Sequence, residues 1–299
     1  MLLIELLKVN VTISRIDMSH NSITTEGTRL LAEALKVNTT LTRIDLSSNS
    51  IKAEGTKFLA DALKINSKIS EICLSLNCIK TDGTKFLAES LKVNTSLTRI
   101  DLSYNSITTE GAVLLSEALK SNTTLKSIGL NGNSIGVEGA RALADVLKAN
   151  LVLENIDLCH NSIGDEGVRV LAEALKVSPT VTSISLSRNS ISDRGAILLA
   201  EALKVNSTII CIAIYSNSIG DEGSIALAEA LLVNTTLKDI DLHDNTIKVK
   251  GARALTDAVM VNTTVTRINL RWNSIKACDV RDLARDLEAS AKVKVLKIW

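Results

Sequence analysis

The chain has 299 residues, 45% of them hydrophobic and 22% charged, which is enough apolar material to bury a core and excludes a disordered polymer. Its formal net charge of +1, from 34 basic and 33 acidic side chains, provides no global field to gather nucleic acid or an anionic membrane. Only 2% of the residues are aromatic and one is proline, so the core is expected to be Leu, Ile, Val and Ala.

Taken in chain order, residues 1–10 read as the helical half of a repeating unit, a partial repeat. Leu3, Leu7, Lys8 and Asn10 take the places that Leu31, Leu35, Lys36 and Asn38 take one period later. A chain that starts inside a repeat exposes apolar stacking surface, so further protein before Met1, or self-association through this end, is expected. Glu5 comes early, with no basic lead-in and no small-residue cleavage site, which argues against a signal peptide. Nowhere are there eighteen consecutive apolar residues, the length a spanning helix needs, so no membrane partner is expected.

From residue 11 to 290 the sequence is about ten full repeats. Asparagine recurs at Asn21, Asn49, Asn77, Asn105, Asn133, Asn161, Asn189, Asn217, Asn245 and Asn273, always 28 residues apart. In one unit Ile44 and Leu46 alternate with Arg43, Asp45 and Ser47, the period of two that makes a short strand with one buried face. A glycine column from Gly27 to Gly251 is read as a turn with close backbone approach. Leu59, Ala62 and Leu63 then fall at helical spacing, so one stripe of a helix faces the strands. Each helix is a crossover, which makes successive strands parallel. Strands stack about 4.8 Å apart and helices about 10 Å, so such a stack bends with strands on the concave side and helices on the convex side. The asparagines are expected to form a buried ladder, bonding backbone groups left exposed where each strand turns. At the end of the chain Asp279 replaces the glycine, and Asp282 and Asp286 take normally apolar places, so a polar capping helix is expected. Residues 291–299 supply a last strand, over Val293 to Ile298.

The five cysteines, Cys73, Cys78, Cys159, Cys211 and Cys278, are odd in number and lack any CxxC pair, which suits reduced thiols and a cytoplasmic location. Seven Asn-x-Ser/Thr acceptors begin at Asn10, Asn38, Asn94, Asn122, Asn206, Asn234 and Asn262. Their recurrence tracks the repeat and is read as a repeat feature rather than as glycosylation.

The unit LxxIDLSxNSIxxEGxxxLAEALKxNTT resembles the ribonuclease-inhibitor-like class of leucine-rich repeats over practically the whole chain. The run from Ala32 to Thr40 is most similar to the repeats of nucleotide-binding leucine-rich-repeat (NLR) receptors. The resemblance implies an α/β leucine-rich-repeat solenoid, a horseshoe forming a single domain over 1–299. It also implies a non-enzymatic scaffold or ligand-sensing module for a protein partner, such as the sensor region of an NLR-like innate immune receptor. Its alternatives are a regulator of a small GTPase of the Ran-activator kind and a ribonuclease-inhibitor-like protein. No GxxxxGK[ST] phosphate loop is present, so a nucleotide-binding domain is not part of this sequence.

In a repeat protein, information about a partner sits where the repeats disagree and the side chain is exposed. The two residues before each ladder asparagine hold all three histidines, both tyrosines and, counting Trp299 as an eleventh position, both tryptophans. Tyr, Trp and Arg anchor protein interfaces, so Tyr104, His160, Arg188, Tyr215, His243, Arg271 and Trp272 are the candidate partner-binding residues of the concave face. Arg15 with Asp17, Arg43 with Asp45 and Arg99 with Asp101 are expected to neutralise one another on that face, and its balanced charge does not suit nucleic acid. The end of the chain, with Arg267, Arg271, Trp272, Lys294 and Lys297, is locally basic. Helix exteriors mostly carry a base followed four residues later by an acid, as Arg29 and Glu33. Ile197, Ile225, Leu232 and Met260 break that pattern and are candidates for a convex contact, including self-association. No HExxH, GxSxG or metal-ligand spacing is present, so neither an enzyme, a metal nor a cofactor is expected.

Overall fold

A computed structural model of the chain describes residues 2–276, Asp279 and residues 295–297. By its internal contacts the chain divides into two compact units, Met1–Ile135 with Ala149–Ile156, and Gly136–Lys148 with Asp157–Trp299. The first contains α1 (Leu2–Val9), β1 (Arg15–Asp17), α2 (Thr25–Val37), β2 (Arg43–Asp45), α3 (Lys52–Leu63), β3 (Glu71–Cys73), α4 (Lys80–Leu91), β4 (Arg99–Asp101), α5 (Thr109–Ser121) and β5 (Ser127–Gly129). The boundary falls in α6 (Gly136–Ala149) and β6 (Asn155–Asp157). The second contains α7 (Gly164–Leu175), β7 (Ser183–Ser185), α8 (Asp193–Val205), β8 (Cys211–Ala213), α9 (Asp221–Val233), β9 (Asp239–Asp241), α10 (Val249–Val261), β10 (Arg267–Asn269) and β11 (Val295–Lys297).

The expected alternation of strand and crossover helix is present in both units. In the first, β1 to β5 pair in parallel in chain order, and every register pair is 28 residues apart, as Ile16 with Ile44 and Ile72 with Ile100. In the second, β7 to β11 do the same. The middle residue of each of β2 to β10 is an isoleucine at most 3% exposed, while the residues on either side of it face outward. Leu59, Ala62 and Leu63 of α3 and their equivalents close the core from the helix side. No helix among the described residues is long and apolar enough to cross a membrane.

Two asparagine ladders, one expected and one not, join successive repeats. In the expected one, Asn49 Oδ1 accepts from the backbone N–H of Asn21 and Ile23 in the preceding repeat, at 3.1 and 2.7 Å. Its Nδ2 donates to Met18 O and Leu46 O, so one amide satisfies both sides of the turn. Asn77, Asn105, Asn189 and Asn245 repeat the arrangement. The second ladder consists of asparagines at the helix ends, which include six of the seven Asn-x-Ser/Thr positions together with Asn66 and Asn150. Asn38, Asn94, Asn122, Asn206, Asn234 and Asn262 are buried helix ends, and each donates Nδ2 to a carbonyl one repeat back, as Asn38 to Leu7 O at 2.7 Å. The Oδ1 of Asn38 caps the next segment by accepting from Thr40 N and Leu41 N. In the folded chain these amides are enclosed and engaged, which leaves no free nitrogen for a glycan.

The glycine column does not mark a turn. These residues lie in the first turns of the helices with ordinary backbone angles, and close packing is what demands them. A Cβ on Gly83 would stand 2.6 Å from Ile79 Cγ2 and 3.1 Å from Ala53 Cα of the neighbouring helix. The turn lies earlier: all ten residues immediately before the ladder asparagines have φ between 51° and 66°. In the second unit an aspartate near the start of α7, α8 and α9 caps the helix after it, Asp165 Oδ1 accepting from Ser192 N and Gly195 N at 2.8 and 3.1 Å. Asp193 Oδ1 accepts from Gly220 N and Gly223 N at 2.7 and 2.8 Å, and Asp221 Oδ1 from Lys248 N and Gly251 N at 2.9 and 2.8 Å. A carboxylate at a helix N-terminus meets unpaired N–H groups and the positive end of the dipole.

Of the segment expected at the end, β11 pairs with β10, Arg267 opposite Val295, and the Asp279 N–H donates to Lys276 O. Cys278, Asp282, Asp286, Lys294 and Trp299, named above, lie outside the described residues.

Candidate partner-binding face

Each of β1 to β10 presents its first and third residues on the face away from the helices, and the chain then enters the left-handed turn. Strict alternation would point the next two residues to opposite sides. The positive φ breaks that alternation, and the two columns before each asparagine both contribute to the open face. In the second unit they meet. The Tyr215 and His243 rings stack with centroids 4.3 Å apart and planes 15° from parallel. Trp272, from the other column, meets His243 edge-on at 5.6 Å and 74°. Both are favoured arrangements for aromatic pairs.

The ladder of rings is fixed from below. His243 Nδ1 lies 2.7 Å from Asp241 Oδ1 and 3.3 Å from Asn269 Nδ2. The histidine's acidic partner is therefore Asp241, two residues back, while the adjacent Asp244 accepts from Ser216 Oγ at 2.7 Å. The Tyr215 N–H donates to Ser187 Oγ, and its hydroxyl approaches Cys159 Sγ at 3.8 Å. Cys159 Sγ in turn sits 2.7 Å from Ser185 Oγ. Burial, with the neighbouring Cys159 and Asp157, pushes the Tyr215 phenol up to about 12. Burial also raises the thiols of Cys159, Cys73 and Cys211, so all are neutral near pH 7 and none is an activated nucleophile. Among the described residues no group of His, Cys, Asp and Glu is placed to hold a metal ion.

The remaining candidates are more scattered. His160, Arg188 and Arg271 are exposed in the same columns of the second unit. Arg188 donates its backbone N–H to Tyr215 O at 3.0 Å, which sets it beside the rings. Tyr104 belongs to the first unit, 45% exposed, with its ring over Gly132, where a Cβ would come within 2.3 Å of it. The in-strand Arg–Asp pairs are not formed. Asp17, Asp45 and Asp101 instead accept the N–H of Ser19, Ser47 and Ser103 at 2.9 Å, and Arg43 reaches across to Glu71 on the next strand. Helix-surface pairs run three residues from acid to base, as Glu26 with Arg29 and Glu33 with Lys36. The open face is hollowed in each unit: a 270 Å³ depression around Ile72, Cys73 and Arg99, and one of 180 Å³ over Ser183, Ser185, Cys211 and Ala213.

The repeat family "Leucine Rich repeat" matches residues 9–32, 37–60, 93–116, 121–144, 149–172, 177–200 and 233–255, together more than half of the chain. The chain is a leucine-rich-repeat protein. Among solved structures, this leucine-rich-repeat chain is similar to the leucine-rich repeat-containing protein LegL7 from Legionella pneumophila, at 18% identity and a TM-score of 0.57, covering 98% of this chain and 95% of that one. It is also similar to a chain of the Rad7 and Elc1 complex in yeast, at 15% identity and a TM-score of 0.51, covering 95% and 76%. At these identities both support the fold alone. No curated protein matches the sequence.

On the helix side of this leucine-rich-repeat protein the convex candidates Ile197, Ile225, Leu232 and Met260 are all exposed, on the adjacent helices α8, α9 and α10. One exposed row went unread in the sequence: a large apolar residue just before the capping position in most repeats, that position being Ser178 in one of them and asparagine in the others. It runs Val9, Val37, Ile65 and Val93 in the first unit and Val177, Val205, Val233 and Val261 in the second. The period of 28 was its signal, hidden because a single valine per repeat resembles core.

Proposed function

We propose that this protein is a non-enzymatic interaction scaffold that binds a protein partner on the open strand face of its second unit, with Tyr215, His243 and Trp272 as the anchor. The observation that carries this is the contact of three rings on one exposed surface, in a chain with only 2% aromatic residues. Rings bring large contact area with little rotamer entropy to lose, and here their neighbours already hold them in place. Arg188, Arg271 and His160 extend the patch, and Tyr104 offers a separate contact on the first unit. A protein suits the balanced charges of this face better than nucleic acid does. The NLR-like form of the repeats supports a sensor-type module, and the unpaired thiols support a cytoplasmic setting.

The test is affinity capture from the source cell with the wild-type chain and a Tyr104, Tyr215, Trp272 triple alanine variant. A protein retained by the first and lost from the second is the expected result; identical partner lists move the site elsewhere. Self-association through Ile197, Ile225, Leu232 and Met260 is a second reading, favoured by their exposure beside Val205, Val233 and Val261. Sedimentation velocity of a Leu232→Lys, Met260→Lys variant checks it.

A further inference from the structure

We infer that the hollow beside the ring ladder takes a cationic side chain, an arginine or lysine that the partner inserts from an extended segment. The inference rests on the proposal that the open face of the second unit is the binding face, and it specifies what that face recognises.

The floor of the hollow is made of short side chains, Ser183, Ser185, Cys211 and Ala213, where the equivalent places in β1, β2, β4 and β9 hold Arg or Asp. This leaves about 180 Å³ of open depth between longer neighbours. The lining carries Asp239 and Asp241 against a single cation, Arg267, which lies 3.0 Å from Asp239. Asp241 is left with His243 as its partner. Asp157, close enough to act on Tyr215 and Cys159, accepts from the Cys159 N–H outside the lining. Arg188 and Arg271 stand in the rim columns and do not line the hollow. The lining thus carries two carboxylates against one guanidinium, and the further arginines stand outside it.

The rings complete the site. Three linkages tie them to its wall: His243 to Asp241, His243 to Asn269, and Tyr215 through Cys159 to Ser185. Trp272 meets His243 by an edge contact and is 73% exposed, so the indole faces remain available. A guanidinium or ammonium descending past an aromatic face toward a carboxylate gains cation–π and charge-assisted hydrogen bonding together, and arginine is suited to both. An acidic side chain gains neither on this floor, and an aliphatic one leaves Asp241 desolvated without a counter-charge.

The experiment is selection of random linear peptides displayed on phage against the full chain, followed by affinity measurement on the synthesised winners. The expected winners share an Arg or Lys at one fixed position. Replacing it with Gln weakens binding at least tenfold, and so does Asp241→Asn in the protein, which keeps the hydrogen-bonding shape and removes the charge. Asp239→Asn, which also lines the hollow and spares the contact to His243, is expected to weaken binding in the same direction. Winners that need Trp272 but carry an acidic or apolar residue at that position, or that bind Asp241→Asn and wild type alike, overturn the cationic anchor and leave the ring face standing. Winners indifferent to Trp272→Ala, or a selection with no enrichment, overturn both.

Discussion

At the scale of single residues, the strongest determinants are amides that serve two repeats at once. Asn105 Oδ1 accepts from Asn77 N and Ile79 N, and its Nδ2 donates to Leu74 O and Ser103 O. Asn105→Ala leaves these buried groups unpaired, and an equilibrium urea titration should show a loss of about 1 to 3 kcal/mol. The second ladder contains its own experiment. At residue 178 the column holds serine, whose buried hydroxyl has no hydrogen-bond partner, while Asn150 and Asn206 on either side donate to Leu119 O and Leu175 O. Ser178→Asn should raise stability by about 1 kcal/mol, read from the urea midpoint. Tyr215 makes a third test. An acid whose folded pKa lies above its unfolded value of about 10 contributes stability that is complete below pH 10 and lost as pH rises through about 12. Absorbance at 295 nm should show a tyrosine titrating near pH 12, and Tyr215→Phe should abolish that component together with the associated alkaline loss of stability.

At the scale of the element, periodicity revealed the strands and helices, and contacts across the repeat decided what it did not. The alternation of Ile44 and Leu46, and the stripe of Leu59, Ala62 and Leu63, are local patterns, and the structure follows both. The glycine column was misplaced because Gly suits a turn and a tight helix contact equally; only the neighbouring helix distinguishes them. Gly83→Ala tests this. Helix propensity favours alanine by about 1 kcal/mol, yet the contacts of 2.6 and 3.1 Å that a methyl would make predict a net destabilisation of about 1 to 3 kcal/mol, visible as a lower thermal midpoint. The Asp193 and Asp221 caps, and the choice of Glu71 rather than Asp45 by Arg43, were not legible because each pairs residues about one period apart.

At the scale of the whole molecule, a repeat protein separates scaffold from recognition by column. The asparagine, isoleucine and glycine columns recur because each repeat must dock on the last, which leaves the columns before each ladder asparagine to vary. The sequence placed the rings of Tyr215, His243 and Trp272 in those columns, but their contact depends on the left-handed turn at the residue before each asparagine. That turn is occupied here by His, Ser, Leu, Tyr, Arg and Trp as well as Gly, so residue type alone does not announce it.

Because these side chains are held at the surface rather than in the core, binding and stability should separate. The direct test is the dissociation constant of the captured partner for wild type and for Trp272→Ala, measured alongside the thermal midpoint of each. At least tenfold weaker binding, a loss of about 1.4 kcal/mol or more, with an unchanged midpoint is the predicted result. Equal affinity for the two proteins would contradict the placement of the binding site on this face.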